Sequence, residues 1–227
     1  MGGRHFAHVF AAAVLTIPAT LFSALIAPAS AAPCPDVEVT FARATTESPG
    51  VGVVGQEFVD SLRSQVGGRS VGVYPVNYPA TYDFVPSANA GANDASAHVQ
   101  STAANCPNTK IVLGGYSQGA LVIDLITIAQ APVAGFVPAS LPQDVAGHVA
   151  AVAVFGNPSD RYLGAPISAI SPWYGAKAID LCADGDLVCS PGPLTPPSQD
   201  EMFSPAHLSY AHSGMPAQAA AFAASRL

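Results

Sequence analysis

Residues 111–124 read IVLGGYSQGALVID. An apolar run leads into Gly115-Tyr116-Ser117-Gln118-Gly119, and the chain then turns apolar again. Both flanks call for burial, which argues against a surface loop, and glycines weaken the interior of a strand or helix. The pattern is that of a strand that stops abruptly, a tight turn that lifts one hydroxyl, and a helix that starts at once. In a G-x-S-x-G turn the serine holds a strained backbone, and small neighbours keep the turn free of clashes. The hydroxyl then stands above the C-terminal edge of a sheet, and the backbone N–H of Gln118 is free to point at an oxyanion. Apolar Leu121, Ile123, Leu125 and Ile128 continue the segment as a helix and make the motif far more specific than its five letters.

Outward from this turn, the chain alternates short β-rich runs with helical spacing. Strands are predicted at Val37–Ala42, Val71–Asn77, Ile111–Gly114, Val149–Phe155 and Ala178–Leu181. Helices are predicted at Val54–Gln65, Gly91–Ala104 and Pro216–Leu227, the last with proline in its first turn. Continuous apolar runs such as VAAVAVF suit strands buried on both faces. The fold class is therefore α/β, a mostly parallel sheet covered by helices on both sides. Pro-rich stretches 131–142 and 190–197 read as loops, and no internal repeat or linker divides the chain.

The N-terminus is set apart by its chemistry. After Arg4 a long stretch without Asp, Glu, Lys or Arg ends in Ala29-Ser30-Ala31, which fits an A-x-A cleavage rule. Residues 1–32 are read as a secretory signal peptide and 33–227 as one domain. The competing reading is a membrane anchor; Pro18 and Pro28 interrupt the run and no basic stop-transfer cluster follows. Loss of Arg4 leaves 7 Lys+Arg against 15 Asp+Glu, a charge of −8, with no basic block. That excludes nucleic acid and anionic membranes as expected partners. Stable membrane insertion is not expected, and the protein is taken as a monomer. Behind a signal peptide the four cysteines imply two disulfides, with three connectivities open. Cys182 and Cys189 form the obvious local pair, which leaves Cys34 with Cys106. No C-x-x-C or paired histidine suggests a metal site.

A serine at neutral pH needs a base, and the base needs an acid to orient it. After a turn of this kind the partners follow later in the chain, the acid before the base. Downstream histidines are His148, His207 and His212. His148 opens a buried run and is a strand-edge residue. His207 and its rival His212 share the loop before the last helix. For the acid, the six residues between Cys182 and Cys189 make a rigid mount that carries Asp184 and Asp186. Position does not separate the two; Asp180 lies inside the preceding strand.

The stretches FARATTE, VNYPA, GGYSQG, CADGDLVC and AHLSY, followed by the final helix, resemble the cutinase family of secreted serine esterases. The likeness is greatest to cutinase-like proteins exported by actinobacteria and spans nearly all of 33–227. It implies an α/β-hydrolase-like three-layer sandwich without a long lid. It also implies Ser117 as nucleophile, Asp186 as the acid of a Gly-Asp pair, and His207 as base. A second oxyanion donor maps to Thr45, beside Gln118. Phe203 and Leu208 map to apolar contacts with an acyl chain, although Phe203 as ordinary core is the alternative. The family usually has glycine where this chain has Ala44; if the position needs a positive φ, alanine strains the loop. The resemblance implies an esterase of short- to medium-chain fatty esters, with lipid substrates in range and no cofactor or metal. An acetylxylan-type deacetylase and a weakly active cell-envelope or antigenic protein are the alternatives. The expected location is outside the cell, with retention at the envelope left open.

Overall fold

The computed structural model describes residues 1–3, 33–163, 165–192, 195 and 197–227. Contacts divide the chain into two units, Met1–Pro33 and Cys34–Leu227. The signal-peptide reading, with its cleavage site, lies outside the described residues. No helix among the described residues is long and apolar enough to cross a membrane.

Five strands, β1 (Val37–Ala42), β2 (Val71–Pro75), β3 (Lys110–Tyr116), β4 (Val149–Phe155) and β5 (Ala178–Leu181), form one sheet in the order β2-β1-β3-β4-β5. Every neighbouring pair is parallel. Parallel strands need crossovers, and helices α1 (Gly52–Gln65), α2 (Phe84–Asn105) and α3 (Gln118–Thr127) provide the first three. Four short helices follow, α4 (Gln143–Ala146), α5 (Pro158–Leu163), α6 (Ile167–Ile170) and α7 (Gln199–Met202), before the terminal α8 (Met215–Ala224).

Side chains alternate across each strand, so the sheet feeds two cores. Val37, Val39 and Phe41 pack with Phe58 of α1, Phe155 and the Ala-rich face of α8. On the other side Ile111, Leu113, Val152 and Val154 meet Val99 and Ala92 of α2 and Val122, Ile123 and Ile126 of α3. Small alanines on α2 and α8 let these helices lie close to the sheet. The layers are helix, sheet, helix, as expected.

Strands β1, β4 and β5 have the predicted bounds. Helix α2 begins seven residues earlier than the spacing suggested, because Pro86 falls in its first turn, where the missing N–H costs no helical bond. Helices α4 to α7 escape a periodicity reading because four to six residues complete barely one turn.

The order reverses between β1 and β3. Helix α1 leaves β1 toward one face and α3 leaves β3 toward the other, which opens a crevice at the C-terminal strand edge. Ala42 pairs with Gly115 there, so the loop after β1 and the serine turn adjoin. The glycines of the turn are fixed by this approach. A Cβ on Gly119 would lie 2.0 Å from the Ala42 carbonyl oxygen, and one on Gly115 would lie 2.3 Å from that of Gly119. Both disulfides, Cys34–Cys106 and Cys182–Cys189, are present as expected.

Candidate active site

Ser117 sits between β3 and α3 with φ 56° and ψ −117°, a backbone that non-glycine residues seldom adopt. Its N–H donates to the Phe155 carbonyl at 2.9 Å, and its own carbonyl accepts from Ala120 and Leu121. The turn is thereby tied to β4 and to the first turn of α3, which holds the strain.

His207 Nε2 lies 2.9 Å from Ser117 Oγ, and His207 Nδ1 lies 2.9 Å from Asp186 Oδ2. The carboxylate only accepts, so Nδ1 carries the proton and Nε2 is left to accept from the serine. All three side chains are buried, Ser117 at 7%, His207 at 3% and Asp186 at 0% exposure. Asp186 is held below the usual carboxylate range. Burial opposes this, but hydrogen bonds from His207, Tyr210 and the Val188 N–H outweigh it.

The rival residues stand apart. Asp184 is exposed beside Gly185, which takes φ 80° to turn the disulfide loop. His212 is exposed, and His148 borders the N-terminal end of β4, opposite the serine edge. Asp180 points instead toward Asn157.

The loop after β1 is braced by residues that the motif reading passed over. Glu47 Oε2 accepts from the Ala44 N–H at 2.7 Å, and Oε1 accepts from Val53 N–H at 2.8 Å at the start of α1. Arg43 donates to the carbonyls of Glu47 and Tyr78 at 2.8 and 2.7 Å. Ala44 is buried and has no positive φ; the left-handed residue of this loop is Thr46, at 65°. Alanine therefore introduces no backbone strain here. Thr45 Oγ1 is buried without a protein partner, and Thr45 lines a small cleft with Ser117 and His207. The Gln118 side chain is locked, donating to the Thr81 carbonyl at 2.9 Å and accepting from Ser87 Oγ at 3.2 Å. That fixes the residue whose N–H opens α3.

Phe203 and Leu208 line the same small cleft and are about half exposed, at 52% and 55%. Phe203 is thus not core. Two tyrosines were missed by sequence reasoning. Tyr210, wholly buried, donates to Asp186 Oδ2 at 2.6 Å and accepts from the Ala183 N–H at 2.9 Å. Tyr116 donates to the His207 carbonyl, and its ring lies 5.2 Å from the imidazole. The AHLSY stretch contains Tyr210, yet only its histidine carried an obvious chemical signal.

The sequence model of the cutinase family, described as Cutinase, matches residues 33–227. The carboxylesterase Culp1 of Mycobacterium tuberculosis is 50% identical over 221 residues, covering 93% of each chain. The phospholipase Culp4 of the same species is 50% identical over 97% of this chain and 89% of its own. Among solved structures, a Trichoderma reesei cutinase with a phosphonate inhibitor superposes with TM-score 0.65 at 34% identity, covering 85% of this chain and 77% of that one. An acetylxylan esterase gives TM-score 0.70 at 26% identity, over 86% and 99%.

Proposed function

The chain belongs to the cutinase family and is a carboxylic ester hydrolase, and from that premise we propose a secreted serine esterase that works through an acyl-enzyme on fatty acyl esters. Ser117 attacks the ester carbonyl while His207 Nε2 takes its proton. Asp186 holds the imidazole in the productive tautomer and stabilises its charged form. The N–H groups of Thr45 and Gln118, with the unpartnered Thr45 hydroxyl, receive the oxyanion. His207 returns the proton to the leaving alcohol, and water repeats the sequence to release the acid. Phe203 and Leu208 offer apolar contact to the bound ester.

The observation that carries this reading is the unbroken relay of two 2.9 Å contacts from Ser117 through His207 to Asp186. Two disulfides support an oxidising, extracellular location. A lipid ester as substrate gains weight from the phospholipase relative, and a deacetylase from the acetylxylan esterase neighbour. The weakly active alternative rested on Ala44, and the negative φ of Ala44 removes that support.

Hydrolysis of p-nitrophenyl esters from acetate to palmitate, wild type against Ser117→Ala, tests the proposal. Turnover that falls to background in the variant supports it. A folded, oxidised wild type without turnover, or a Ser117→Ala variant that retains it, overturns it.

A further inference from the structure

Two clefts meet at Ser117. The smaller, about 190 Å³, lies between Thr45, Tyr82, Phe203, Leu208 and the His207 ring. The larger, about 900 Å³, runs the other way along α3. Ser117 and Met202 line both.

The larger cleft is built for an apolar chain. Leu121, Leu125 and Ile128 follow Ser117 at helical spacing and form one wall. From Ser117 to Ile128 the helix rises about 16 Å at 1.5 Å per residue, the reach of an extended chain of roughly a dozen carbons. The volume is at the upper end of the ~300–1,000 Å³ of sites that enclose a small organic ligand. Phe84 and Val85 from the start of α2 face this wall.

Val133 and Phe136 bring a flap over the cavity. They bridge each other across Ala134 and Gly135, both with positive φ, as in a tight hairpin turn. The flap is pinned to α2 by Asn89, which donates to the Gly135 carbonyl at 3.1 Å and accepts from the Val137 N–H at 2.9 Å. Two carboxyls line the cavity: Asp83 is exposed, and Asp124, buried in the wall, is held well above the usual range by that burial, so it adds no ready negative charge to the interior.

Which half of the ester each cleft takes follows from proton transfer. His207 must protonate the departing alcohol oxygen, so the alcohol has to leave on the histidine side. His207 lines the small cleft and not the large one. Resting on the esterase reading above, we propose that the α3 cavity under the Asn89-pinned flap is an acyl site for long, unbranched chains, and that the Phe203–Leu208 cleft seats the alcohol. The preferred substrate is then a long-chain acyl ester, longer than the short- to medium-chain esters expected from the sequence.

Two variants test the channel. Ile128→Trp fills its far end, and Asn89→Ala releases its roof. The readout is the ratio of kcat/KM on p-nitrophenyl palmitate to that on the butyrate, in mixed micelles. The ratio is expected to fall at least tenfold in Ile128→Trp and severalfold in Asn89→Ala, the latter through a higher KM on palmitate. A ratio within twofold of wild type in both folded variants overturns the channel. Displacement of a fluorescent C16 fatty acid from Ser117→Ala gives a readout independent of turnover. Loss of that binding when Ile128→Trp or Asn89→Ala is added supports the channel, and its retention overturns it. If butyrate hydrolysis depends on Ser117 while neither readout responds, the channel alone fails. If no ester is hydrolysed, the esterase reading fails and fatty-acid binding still decides the channel.

Discussion

The Tyr210 hydroxyl donates to Asp186 Oδ2 at 2.6 Å, the same oxygen that faces His207 Nδ1 at 2.9 Å. One carboxylate oxygen is thus held from two sides, by a residue in the last loop and by the proposed base three positions before it. Tyr210 also accepts the Ala183 N–H, so it ties the first residue enclosed by the disulfide loop to the carboxylate carried by the same loop.

Tyr210→Phe should therefore act through Asp186. Loss of the two hydrogen bonds is expected to lower stability by about 1–3 kcal/mol and kcat by roughly 5- to 100-fold, with KM nearly unchanged. Asp186 has a depressed folded pKa, so its contribution to stability is present above the unfolded value and lost as pH falls through the folded one. Without the Tyr210 bond the folded value rises, so that loss is smaller and is complete at a higher pH. Acid unfolding followed by circular dichroism checks this; an unchanged acid midpoint would refute a role through the carboxylate.

Thr45 Oγ1 is buried without a partner, a position that generally costs stability unless a ligand completes it. Thr45→Val should lower kcat by about 10²-fold if the hydroxyl meets the oxyanion, and Thr45→Ser should restore most of it. Steady-state kinetics on one short ester separates the outcomes. Activity kept in Thr45→Val and lost in Thr45→Ser would mean that the methyl group, by positioning the loop, is what matters.

Much of this arrangement was legible in the sequence because its signals are local. Strand β4 declares itself by seven apolar residues, and the serine turn by glycines that the Ala42 approach demands. The disulfide loop offered two candidate acids, and the family resemblance pointed to Asp186, the one whose carboxylate lies against His207. What stayed hidden depends on distant parts of the chain meeting. Asn89 has no signal of its own until α2 carries it under the flap at Gly135, 46 residues later. Glu47 resembles an ordinary loop carboxylate until Val53 and Ala44 turn back to it. Helices of four residues carry no period to detect.

Ala44→Gly is expected to give no gain in kcat. Ala44 is 8% exposed, packs in the core shared by β1 and α1, and has no positive φ for glycine to relieve. The substitution should instead cost about 0.5–1 kcal/mol through added freedom in the unfolded chain. Thermal unfolding and turnover measured together check both halves of the statement. A rise in kcat of tenfold or more would show that the alanine does hold the oxyanion loop out of place.

Asp124, Asp160 and Asp180 form an acidic group with buried oxygens that the proposed mechanism does not use. Asn157 Nδ2 donates to Asp124 Oδ1 at 3.2 Å and to Asp180 Oδ1 at 3.5 Å. Asp124 Oδ2, Asp160 Oδ1 and Asp180 Oδ2 are buried without partners. Burial, and then the Asp180 charge, push the Asp160 carboxyl up to about 7. A raised folded pKa means that the native state keeps a proton which the unfolded chain releases above about 4. Stability is thus full below the unfolded value, falls as pH rises toward 7, and levels off beyond. Asp160→Asn removes this ionisation while keeping the shape of the side chain. It should leave stability near that of wild type at pH 4 and raise it at pH 8 by about 1–2 kcal/mol, allowing for solvent screening of a partly exposed group. Thermal melts at the two pH values decide it: an equal shift at both would mean that packing, rather than ionisation, sets the cost of Asp160.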